Sequence, residues 1–170
     1  LSAMNPQNLQ KFQSAVAGWM KQKKIKGMII DVRENGGGNI HNQLMAILTS
    51  KPLARVQRRG GQKTTQPLPV YWDKPTVVLT NERSFSDAEV FPYMFQTAGR
   101  GKVIGVPTAG GVIGTNDITL SDGTRFRIPR VGFWGMDGTN LEGLGVKPDI
   151  IVEETSADRR AGRDPQLMKA

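Results

Sequence analysis

The sequence contains no cysteine, which removes disulfides, thiolate nucleophiles and cysteine-based zinc sites together. The redox compartment stays open, because a chain without thiols folds equally well in a reducing or an oxidising one. Histidine is almost missing as well: His41 is the only one among 170 residues. Serine–histidine chemistry within this chain must use His41 or take its base from elsewhere. A lone histidine has no second ligand at metal-binding spacing, so no metal is expected, and no motif implies an organic cofactor. No apolar run approaches the roughly 18 residues of a membrane span, and no signal-peptide pattern opens the sequence.

With 38% hydrophobic and 22% charged residues the chain is lean, yet too apolar for a disordered one. Its length suits one compact domain with its own core. The formal charge of +8 is unevenly spread: residues 1–85 carry 13 basic and 4 acidic side chains, residues 86–170 carry 10 and 11. The basic positions (Lys21, Lys23, Lys24, Lys26, Arg55, Arg58, Arg59) are scattered and lack interleaved aromatics. A solvated basic face is therefore expected, and no nucleic-acid partner.

Along the chain, Asn5–Pro6 opens a helix whose apolar residues Leu9, Phe12, Val16, Trp19 and Met20 recur at helical spacing, closed by the cations of Lys21 to Lys26. Met28 to Val32 is a short β-rich run, Gly36–Gly37–Gly38 a loop, and Ile40, Leu44, Ile47 and Leu48 mark a second helix. Residues 52–75 read as an exposed excursion with short strands around Val56, Leu68 and Val70 to Trp72. Pro75 to Thr80 is a second buried strand, followed by a helix through Ala88, Val90, Phe91, Met94 and Phe95 that ends at Gly99. Val103 to Val106 is a third strand, and Ile118 to Ile128 a hairpin turning on Asp122–Gly123. Residues 156–170 form a polar tail, either a short surface helix or a frayed end. The alternation of strand and helix predicts an α/β fold.

Two strand-to-helix turns carry the candidate chemistry. A glycine triplet offers backbone N–H groups with no side chains in the way, a geometry that suits a phosphate or a developing oxyanion, and equally a plain tight turn. Gly36–Gly37–Gly38 fits neither nucleotide fingerprint, being neither Gly-x-Gly-x-x-Gly nor followed by Gly-Lys-Ser/Thr. In the second turn, Ser84 or Ser86 suits a helix N-cap with Asp87 and Glu89 in the first turn. Ser86 equally suits a nucleophile at a helix start, where the next N–H faces a tetrahedral oxyanion.

Taken in order, four segments resemble the S41 serine peptidases, the tail-specific and tricorn-type proteases. These are Ile29 to Gly38, Leu79 to Glu89, Val103 to Gly111, and Gly143–Leu144–Gly145–Val146–Lys147–Pro148–Asp149–Ile150. The resemblance implies a ClpP/crotonase-like core of stacked ββα units over residues 1–155, with the tail beyond it. It also implies Ser86 as nucleophile and an oxyanion hole formed by the backbone N–H groups of Asp87 and Gly37. In the tail-specific branch a lysine base follows the third strand; here Gly111 holds that position, and Lys102 lies before the strand. The tricorn branch uses a histidine assisted by a glutamate, and Glu142 matches that glutamate. The histidine there comes from a small upstream domain with a PDZ-like module between, and Leu1 to Met4 look like the end of a severed strand. His41 is the alternative base, or else a helix residue or cleft wall.

The expected activity is thus that of a serine endopeptidase core acting through an acyl-enzyme on Ser86, weak or inactive without its upstream domains. Its partners would be a peptide or unfolded protein, those upstream domains and, in an oligomer, further copies of the chain. The resemblance leans towards the periplasm over the cytoplasm. A non-catalytic peptide- or ligand-binding module and crotonase-like acyl-CoA chemistry are the rival expectations, but neither needs a nucleophile–carboxylate set. In such a core the basic half of the chain colours a peptide cleft.

Overall fold

The computed structural model describes residues 1–170. Helix α1 (Pro6–Met20) starts where Asn5 accepts the Asn8 N–H at 2.9 Å, with proline in the first turn. Its last turn holds no basic residue, so the lysines expected to close it lie just beyond its end. Strand β1 (Met28–Asp31), helix α2 (His41–Thr49), strand β4 (Thr76–Thr80), helix α3 (Asp87–Thr97) and strand β5 (Lys102–Gly105) form the strand–helix alternation. The excursion between α2 and β4 contains one antiparallel hairpin, β2 (Arg55–Gln57) with β3 (Lys63–Thr65), both exposed.

Strands around Leu68 and Val70 to Trp72 do not form. The Trp72 ring is instead fully buried (0% exposed), and its indole N–H donates to Thr76 Oγ1 at 3.0 Å. A large aromatic in an irregular segment can plug a core without belonging to a strand.

A parallel sheet runs in the order β1-β4-β5-β8, where β8 is Ile150–Ile151. Met28 pairs with Thr76, Val78 with Val103, and Ile104 with Ile150. One core joins Phe12 and Val16 of α1, Leu44 and Leu48 of α2, and Phe91 and Phe95 of α3 to Ile30, Val78 and Val103 of the sheet. Because the strands are parallel, the loops leaving β1, β4 and β5 emerge at one sheet edge, where α/β proteins place their sites. The second hairpin, β6 (Gly114–Thr119) with β7 (Arg125–Val131), turns on Gly123 at φ 86° and extends from that edge.

The tail is ordered as α4 (Ser156–Arg160) and α5 (Pro165–Lys169). Arg33 pins it by bonding Asp31 at 2.7 Å and Asp164 at 2.8 Å, and Gln166 is buried against Arg33 and the Val152 carbonyl. The Arg33 guanidinium holds the Asp164 carboxyl below the ordinary aspartate range. A carboxyl whose pKa falls on folding contributes stability above its unfolded pKa and loses it as pH falls through the folded one. Protection factors in α5, corrected for intrinsic exchange, are therefore expected to fall selectively below about pH 4, ahead of those in β4. Equal protection of α5 at pH 7 and pH 3 would refute the pin.

Candidate active site

The sheet edge brings the two strand-to-helix turns together through backbone bonds. Phe85 N–H donates to Asn35 O at 2.9 Å, and the buried Ser84 hydroxyl donates to Val32 O at 2.9 Å while accepting the Asn81 N–H. Ser84 therefore fixes the turn and is not free to react. Ser86 follows, half-buried, at the N-cap of α3 with φ 56° and ψ −120°. A non-glycine residue at positive φ is a strained position that the surroundings must enforce, and it lifts the side chain out of the turn.

The brace that enforces it is Glu89, which is 0% exposed. One carboxylate oxygen accepts the Ser86 N–H at 2.9 Å and the Gly111 N–H at 2.8 Å. The other accepts the Thr108 hydroxyl at 2.5 Å and the Gly110 N–H at 2.6 Å. An acceptor-only carboxylate suits four converging donors. It ties the serine turn to the loop after β5. In the sequence Glu89 looks only like a first-turn acid; the capping spacing from Ser86 was its single signal.

Asp87 plays two separate parts. Its N–H has no acceptor in the protein, as an oxyanion donor requires. Its buried side chain leaves the helix and accepts the N–H groups of Ile40 at 2.7 Å and His41 at 3.2 Å, capping α2, whose own N-cap Ile40 offers no side-chain bond. The same carboxylate bonds His41 Nδ1. The His41 ring lies edge-on to Phe133 at 5.8 Å and is not part of the cleft that Ser86 lines.

The glycine loop corrects one expectation. The Gly37 N–H is not free for an oxyanion: it donates to Asn35 Oδ1 at 2.9 Å. Gly36 and Gly38 line the cleft instead, and neither N–H has an acceptor in the protein. Gly37 matters through its missing side chain. At φ 98°, a Cβ there would lie 2.7 Å from Ser86 Cβ and 3.1 Å from Asp87 N, filling the space above the free N–H.

Ser86 shares a cleft of about 660 Å³ with Phe85, Gly111, the base of the β6–β7 hairpin and Glu142. Glu142 Oε2 accepts the N–H groups of Val112 and Ile113 at 2.7 and 3.0 Å, while Oε1 has no donor in the protein. The position where the resemblance puts the tail-specific lysine is crowded by the Phe85 ring. A Cβ on Gly111 would meet Phe85 Cε2 at 2.1 Å. Lys102 sits at the far end of β5, bonded to Asp149. No group of three or more Asp, Glu or His side chains is gathered to hold a metal ion.

The model of Peptidase family S41 matches residues 1–152. The chain belongs to this family. Within S41 it is 36% identical to the tricorn protease of Thermoplasma acidophilum over 152 residues, covering 88% of this chain and 14% of that protein. It is 25% identical to the carboxy-terminal-processing protease of Bartonella bacilliformis over 151 residues, 85% of this chain and 35% of that one. Among solved structures, the crystal structure of the tricorn protease overlays with a TM-score of 0.81 at 32% identity, covering 99% of this chain and 16% of that one. The chain thus spans about a seventh of the tricorn proteases it matches, and the α/β fold expected from the S41 resemblance is the one observed. No helix is long and apolar enough to cross a membrane.

Proposed function

We propose that this chain is the reacting core of a serine peptidase. Ser86 Oγ attacks a peptide carbonyl, and the oxyanion is met by the Asp87 N–H together with an N–H from the cleft-lining glycines Gly36 and Gly38. The attack forms an ester between Oγ and the carbonyl carbon, expels the amine, and leaves an acyl-enzyme that water hydrolyses. Glu142, with one oxygen anchored and the other free, is placed to orient a protonated base. The observation that carries this reading is the strained Ser86 beside an acceptor-free N–H, with a half-satisfied carboxylate in the same cleft.

The base comes from outside these 170 residues. Gly111 cannot accept a proton, and His41, held by Asp87 through Nδ1, lies outside the cleft that Ser86 lines. A histidine supplied by an upstream part of the protein fits both facts and the tricorn likeness. Cleavage within peptides or unfolded proteins, and assembly into an oligomer, follow from the same likeness.

A fluorophosphonate tests the reading. It is expected to label Ser86 rapidly in the protein that includes its upstream part, slowly in the 170-residue chain, and not at all after Ser86→Ala. Absence of labelling in the longer protein with an intact histidine rules out the peptidase, and rapid labelling of the short chain rules out the external base.

A further inference from the structure

We propose that the cleft beside Ser86 takes a substrate segment bearing a carboxylate, and that Arg127 binds it. The proposal rests on the peptidase reading and names the substrate class for that same site. Only two charged side chains line the cleft, Glu142 and Arg127. Glu142 is held by two backbone N–H groups on one oxygen, so the cleft's one cation is not consumed by its one anion. Arg127 projects from β7, and its Nε and Nη2 donate to Thr115 Oγ1 at 3.2 and 2.7 Å.

A hydroxyl can aim a guanidinium without neutralising it. Asp117 forms an ion pair with Arg127 Nε at 3.7 Å, but it is shared with Arg125, which it bonds more closely, so one carboxylate faces two guanidiniums and only partly offsets the charge of Arg127. Nη1 of Arg127 has no partner in the protein, and Thr115, which sets its direction, lines the same cleft. A planar guanidinium with open donors is matched to carboxylate in both charge and geometry. The Arg127 side chain is 75% exposed, so its attraction is screened, and its contribution should be of order tenfold and sensitive to salt.

The carboxylate has two possible sources, an Asp or Glu side chain of the substrate or its C-terminus. Calorimetry on the Ser86→Ala chain would use three N-acetylated tetra-alanine peptides: one with a free C-terminus, one amidated, and one amidated with a glutamate replacing an alanine. One carboxylate peptide is expected to bind about tenfold more tightly than the neutral one at low salt, the winner naming the source, and the gap should close in 1 M salt. Arg127→Gln is expected to erase the preference, and Arg130→Gln, on the same hairpin outside the cleft, to keep it.

Equal binding of neutral and charged peptides, a preference that survives Arg127→Gln, or no binding at all overturns the proposal. Fluorophosphonate labelling of Ser86 in the longer protein separates the two failures. Labelling without a carboxylate preference removes only the role of Arg127, whereas lost labelling removes the peptidase reading beneath it.

Discussion

Glu89→Ala is expected to cost the folded chain about 3–5 kcal/mol and to slow acylation of Ser86 by about 10²-fold or more. The stability loss follows from three N–H groups and one hydroxyl, all aimed at a fully buried carboxylate, losing their acceptor at once. The rate loss follows from a different consequence: the Ser86 N–H tether keeps the residue at φ 56°, and a relaxed turn moves Oγ off line. Glu89→Gln preserves volume but presents an amide NH₂ where a donor already points, so it should recover less than half of either loss. Urea denaturation reports the first effect. Fluorophosphonate labelling at 10 °C, where the variant is still folded by circular dichroism, reports the second. A variant that loses stability but labels at the parental rate would reduce Glu89 to a structural strut.

Gly37→Ala is expected to separate fold from chemistry in the opposite direction. The methyl would stand 2.8 Å from the Phe85 carbonyl and 2.7 Å from Ser86 Cβ, at a φ that alanine tolerates poorly. Strain of about 1–3 kcal/mol follows for a backbone held there. The larger effect is on acylation, expected to fall by about 10²–10³-fold, the typical result of removing one oxyanion donor, because the methyl occupies the approach to the Asp87 N–H. Asn35→Ala is the companion: it frees the Gly37 N–H from its carboxamide but adds no atom to the cleft. If Asn35→Ala labels as slowly as Gly37→Ala, the anchoring of the loop, and not the open space above the Asp87 N–H, is what acylation needs.

Much of the arrangement around Ser86 was legible because its two turns lie in local pattern. A strand run, a glycine triplet and a helix periodicity place the first turn. A serine after Thr80 and before Ala88 places the second, and the Asp122–Gly123 dipeptide places the hairpin. Glu142 required the ordered resemblance, since nothing local distinguishes it from a loop carboxylate. What stayed hidden depends on contacts between distant residues. The burial of Glu89 depends on Thr108 and Gly110, some twenty residues away. The Asp87 side chain caps a helix more than forty residues upstream. The occupied Gly37 N–H depends on which way Asn35 turns, and the ordered tail on a single arginine shared by two aspartates.

The ring of Phe85 over Gly111 has a consequence for how such enzymes diverge. A lysine at position 111 has to share its space with that ring. Gly111→Lys alone puts the new side chain into space the aromatic ring occupies. A side chain at position 111 therefore requires the Phe85 ring to swing aside or shrink, so the identities of residues 85 and 111 are coupled.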